Sequence, residues 1–198
     1  MSDTKNVPIT IKQGATFIKK FNWYGGGKVV KEIDDVTTGC PTRVTVAAHG
    51  LPAGADTPVY IEDVKGARSL NSKGKEVIAT YVDASNFDVD TGTRGETYTA
   101  GTGCVHYFAP KTLTGWIARM DIREDIDDAT PLVALTSAGG DIVINTTTAE
   151  IQITITATVT AALDFEEGVY DLELEDSSGN VTRLTEGVVT FIKEVTRP

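Results

Sequence analysis

The stretch Trp116-Ile117-Ala118-Arg119-Met120-Asp121-Ile122-Arg123 decides the fold class. Trp116, Ala118, Met120 and Ile122 alternate with Arg119, Asp121 and Arg123, and on a pleated strand successive side chains point to opposite faces. One face is therefore dry and the other wet, the pattern of an antiparallel sheet with one solvated side. Outward from this segment, period-two runs rich in Val, Ile and Thr predict strands at 7–11, 15–23, 132–135, 142–144, 151–156, 169–174, 181–184 and 188–192. In the run 15–23, Phe17, Lys19, Phe21 and Trp23 share one face. Turn residues such as Asp176-Ser177-Ser178-Gly179-Asn180 punctuate the strands, as in a sandwich. Only Ala157–Leu163 reads as a helix, and a short one.

Residues 33–108 have a different texture. Short strands at 43–47, 59–63, 77–82 and 87–89 are separated by loop-like Cys40-Pro41, Leu51-Pro52 and Thr57-Pro58. Strand-forming sequence lies on both sides, and surface loops with close ends accept inserted domains. The expected architecture is all-β: an antiparallel Ig-like β-sandwich from residues 1–32 and 109–198, interrupted by a small β-barrel or β-roll at 33–108.

The 198 residues carry a net charge of −10, distributed unevenly: +2 over 1–39, −2 over 40–105 and −10 over 106–198. Nucleic-acid affinity comes mainly from Lys and Arg neutralising phosphates, so this balance argues against a nucleic-acid partner. It argues equally against adsorption to an anionic membrane surface. The start Met-Ser-Asp-Thr-Lys-Asn has no signal-peptide pattern, and no apolar run approaches the ~20 residues of a membrane span. The expectation is synthesis in the cytoplasm, where thiols stay reduced.

Both cysteines and both histidines fall in the inserted region, as Cys40, His49, Cys104 and His106. Cys104-x-His106 on a strand shares one face, so these four residues form a weak zinc candidate, without the close ligand pairs of a knuckle or ribbon. Cys40 and Cys104 bracket the insert and would approach disulfide distance if its first and last strands pair; the other reading is two unlinked, partly buried thiols. His49, in Ala48-His49-Gly50-Leu51-Pro52, reads as a turn histidine bonding locally. Gly25-Gly26-Gly27-Lys28 has Val29 where a phosphate loop needs Ser or Thr, and reads as a flexible loop. The acidic clusters Arg123-Glu124-Asp125-Ile126-Asp127-Asp128 and Asp164-Phe165-Glu166-Glu167-Gly168 lack a calcium-loop register and read as a solvated rim. Asp171, Glu173 and Glu175 alternate with Leu172 and Leu174, which marks the polar face of one strand; if that face were instead covered, the three carboxylates would need basic partners, with another chain as one source. No catalytic constellation, resident cofactor or metal requirement emerges.

Four framework segments suggest a family: Ile11-Lys12-Gln13-Gly14-Ala15-Thr16-Phe17, then Leu113–Arg123, then Gly168–Leu174, and the closing Val181–Gly187. They resemble small virion proteins of tailed bacteriophages, in particular the virion-attaching β-sandwich domain of upper baseplate proteins. The insert, with Ala48-His49-Gly50-Leu51, Leu70-Asn71 and Val82-Asp83-Ala84-Ser85-Asn86-Phe87, is similar to a small β-module of phage structural proteins. The resemblance implies a non-enzymatic tail, baseplate or neck adaptor, located in the virion, homo-oligomeric and docked on other virion proteins. The expected contact elements are Met1–Val7, the insert's loops and Lys193–Pro198. Two alternatives stand beside it: capsid decoration, and a host-surface carbohydrate-binding module using Trp23, Tyr24, Tyr98 or Tyr107.

Overall fold

The structure, a computed structural model, describes residues 5–195; parts of the expected contact segments Met1–Val7 and Lys193–Pro198 lie outside the described residues. The chain is almost entirely β and divides into two compact units, residues 1–23 with 112–198 and residues 24–111. The first unit opens with β1 (Lys5–Asn6), β2 (Ile9–Lys12) and β3 (Phe17–Asn22). The second unit holds β4 (Lys28–Glu32), β5 (Asp35–Thr37), β6 (Thr42–Thr45), β7 (Asp56–Glu62), a 3-10 turn (Arg68–Leu70), β8 (Val77–Asp83), β9 (Asn86–Val89) and β10 (Cys104–Phe108). The chain then returns to the first unit with β11 (Ile117–Arg123), β12 (Val133–Thr136), β13 (Ile142–Asn145), β14 (Glu150–Ile155), α1 (Ala157–Ala162), β15 (Glu167–Glu175) and β16 (Val181–Ile192).

The first unit is a sandwich. One sheet runs β1-β16-β15-β11-β12 with β2 also on β16, and the other runs β13-β14-β3. Alternation explains the layering: Ala118, Met120 and Ile122 of β11, Tyr170, Leu172 and Leu174 of β15, and Ile151, Ile153 and Ile155 of β14 all enter one shared core. Burying a side chain of this size contributes about 1.5–3 kcal/mol, so these alternating rows are the main force holding the two sheets together. Thr156 caps α1 by accepting from the Val159 N–H, which is why this Thr- and Ala-rich segment forms a helix at all.

Three expectations change. β1 and β2 pair with β16 in parallel, so the sheet is not purely antiparallel. The strands expected at 181–184 and 188–192 are one twelve-residue strand, β16, carried through Gly187. A Cβ on Gly187 would lie 2.6 Å from the Val7 carbonyl oxygen, so glycine here permits the N-terminal segment's close approach rather than ending a strand. The insert boundary moves from 32/33 to 23/24 and from 108/109 to 111/112, because Lys28–Glu32 pairs along its whole length with Cys104–Phe108. The points where the chain leaves and rejoins the sandwich are held together by Trp23 and Trp116, edge to face at 5.3 Å.

The second unit is a single seven-stranded sheet, β4-β10-β7-β8-β9-β6-β5. A lone sheet buries its own inner face only by curling, and here it closes on itself through Ile33 N–H to Gly103 O and Asp34 N–H to Thr45 O. Val44, Val59, Ile61, Phe87, Val105 and Tyr107 fill the enclosed core.

Candidate functional site

The four weak zinc candidates are not brought together. His49 is buried, with Nδ1 accepting from the Leu51 N–H at 3.0 Å and Nε2–H donating to the Asp83 carbonyl at 2.7 Å. Both ring nitrogens are consumed, and the ring stands edge-on to Tyr81 and Phe87. The Tyr107 hydroxyl donates to the His49 carbonyl, completing a buried bolt across the turn. His106 stacks on Tyr60 at 5.0 Å and faces Glu62, with Nδ1 3.7 Å from its carboxylate. Among the described residues, no group of three or more His, Cys, Asp and Glu is arranged to hold a metal ion.

The disulfide between Cys40 and Cys104 is not formed; both thiols are free. The insert's first and last strands do pair, but the register sets Cys104 opposite Glu32 and Glu62. Cys40 lies eight residues beyond Glu32, in the turn before β6. Burial pushes the Cys104 thiol up, reinforced by Asp63 and Glu62, which keeps it protonated and a poor nucleophile. The Gly25-Gly26-Gly27 segment is not a free loop: Gly26 N–H donates to Ala109 O and Ala109 N–H to Gly27 O, extending the β4–β10 ladder.

The aromatic residues expected to stack on sugars are engaged otherwise. Tyr107 is core, the Tyr98 hydroxyl donates to Ile33 O and Thr102 O, Tyr24 donates to Asp56 O, and Trp23 packs on Trp116.

Charge organises two surface regions. On the outer face of the sandwich sheet, register sets Asp121 opposite Asp171 and Asp171 opposite Glu186, a row of three carboxylates on adjacent strands. Such like-charge neighbours repel, and arginines on the flanking rows offset them. Arg183 reaches Asp171 at 3.0 Å and Glu186 at 3.1 Å, Arg119 reaches Glu173 at 2.8 Å and Glu175 at 3.4 Å, and Arg123 reaches Asp121 at 2.6 Å. Partial burial pushes the Asp171 carboxyl up; Arg183 opposes this, while Glu173, Asp121 and Glu186 add to it. Asp171, Glu173 and Glu175 lie on the polar face of β15, and the basic partners they meet come from the same chain, not from another.

In the second unit, an open depression of about 960 Å³ lies between the end of β7 and the loops that follow it. Ile61 and Val64 behind it are core side chains, and Glu62, Asp63 and the exposed Lys65, Arg68 and Lys73 line its open side. Its rim is braced. The Asn71 amide accepts from Val64 N–H and donates to Val64 O and Arg68 O, while Thr102 Oγ1 accepts from Lys65 N–H. Among the described residues these three cations have no carboxylate partner, in contrast to Arg43, Arg119, Arg123 and Arg183. The sequence gives no periodic signal for them, since they lie in loops between short strands.

No protein-family model matches the chain, and no curated protein matches it.

Proposed function

We propose that the chain is a non-enzymatic structural component of a tailed-phage virion, a tail, baseplate or neck accessory that self-associates and docks on other virion proteins. The observation that carries the proposal is the interrupted sandwich: a closed β-unit inserted after Trp23, with the sandwich resuming at Thr112. The phage resemblance has that arrangement. In support, the residues that carry the resemblance in the insert hold its turns. His49 bolts one, Asn71 clamps another, and the Asp83 carboxylate accepts from Ser85 N–H and Asn86 Nδ2 in the β8–β9 hairpin. Residues that could do chemistry elsewhere are spent here on architecture, as expected of a scaffold whose contacts multiply through symmetry.

Mass spectrometry of washed particles of the encoding phage tests this. The expected result is the chain at a fixed stoichiometry with the tail proteins. Its absence from particles that retain their tails overturns the proposal.

A further inference from the structure

The strongest unspent feature of the molecule is the trio Lys65, Arg68 and Lys73 around the braced depression. Two carboxylates also line it, but Glu62 is turned to His106, leaving Asp63 against three cations. In a chain of net charge −10, three exposed cations without a carboxylate partner at one concavity select an acidic occupant.

The chain itself carries a matching convex element. The loop after β11, Glu124-Asp125-Ile126-Asp127-Asp128, presents four carboxylates around Ile126, which is 78% exposed. The loop braces itself: Asp125 N–H donates to Asp128 Oδ2 at 2.8 Å and Asp127 N–H to Asp125 Oδ1 at 3.0 Å. Arg123, the neighbouring cation, is already committed to Asp121 and to the Asp128 carbonyl. A rigid loop loses little conformational freedom on docking.

Building on the self-association in the proposed function, we infer that the depression of one copy receives the Glu124–Asp128 loop of a second copy. The carboxylates of the loop meet Lys65, Arg68 and Lys73. Each chain has one acceptor and one donor, so the contact is made twice in a two-fold dimer or once per neighbour in a ring or open series. Solvent-exposed charge supplies the steering, so association is salt-sensitive.

Sedimentation velocity on the full chain tests the contact. Association is expected at low salt and is expected to weaken as NaCl rises from about 50 mM to about 500 mM, where the screening length falls from roughly 14 Å to roughly 4 Å. Reversing the acceptor with Lys65→Glu and Arg68→Glu, or the donor with Glu124→Lys and Asp127→Lys, weakens association by at least ~30-fold, and all four changes together recover at least ~10-fold. These side chains make none of the bracing bonds, so circular dichroism unchanged from wild type separates lost docking from lost folding. A wild-type monomer at low salt, or reversals that fail to rescue one another, overturns the inference. A chain present in virions but monomeric in solution overturns the inference alone, and a chain that associates as described but is absent from virions overturns the proposed function alone.

Discussion

On the sandwich, Arg119, Arg123 and Arg183 each meet a carboxylate of the same sheet within 3.0 Å, whereas among the described residues Lys65, Arg68 and Lys73 of the inserted unit pair with none. The two regions differ because their residues are placed by different rules. Strand register sets Arg119 and Arg183 opposite Glu173 across β11, β15 and β16, and Arg183 and Arg123 also reach the adjoining row of Asp121, Asp171 and Glu186, so the sandwich closes its own charge. The depression is built from loops braced by Asn71 and Thr102, and there, among the described residues, Lys65, Arg68 and Lys73 form no ion pair. Self-matched charge stabilises a face; unmatched charge on a braced rim awaits a partner.

The insert's bracing breaks most severely at His49. His49→Ala removes a buried ring and orphans the Leu51 N–H and Asp83 carbonyl, at an expected cost of about 3–5 kcal/mol, read as a lowered midpoint in urea. On the sandwich side, Gly187→Val drives a side chain into the Val7 carbonyl and is expected to cost about 2–3 kcal/mol. Faster hydrogen exchange of the β2 amides checks it. Arg183→Met sharpens the contrast by opening the closed lattice. Arg183 is nearly half exposed, so the cost at neutral pH is screened to about 1 kcal/mol. Its loss also leaves the Asp171 carboxyl, already above its ordinary range, higher still. A carboxyl raised in the folded state binds protons more readily there than in the unfolded chain, so stability falls as pH rises through the raised value. The variant's deficit is therefore expected to shrink as pH is lowered toward the ordinary carboxylate range, measured as the difference in melting temperature from wild type.

Period-two alternation made β11, β14 and β15 legible, and with them the fold class, because a half-buried strand writes its two faces directly into the sequence. Pairings between distant segments were not legible. Nothing local in Val7-Pro8-Ile9 states that the N-terminus runs parallel to β16, or that Gly187 continues a strand so that Val7 can approach. Alternating Asp171, Glu173 and Glu175 were visible, but their arginines are supplied by register with β11 and β16. The zinc and disulfide candidates had the right residue types, and the register set Cys104 opposite Glu32 and Glu62, away from Cys40. Lys65, Arg68 and Lys73 gave no signal because loop residues gather by bracing rather than by spacing.

The most direct measurement uses neutral variants of the two halves of the contact. One chain carries Lys65→Ser and Arg68→Ser with its acidic loop intact; the other carries Glu124→Ser and Asp127→Ser with its depression intact. Each alone is expected to sediment as a monomer, and an equal mixture as a one-to-one dimer that grows no further, since only one acceptor and one donor remain. A mixture that stays monomeric, or single variants that assemble as wild type does, would contradict the account.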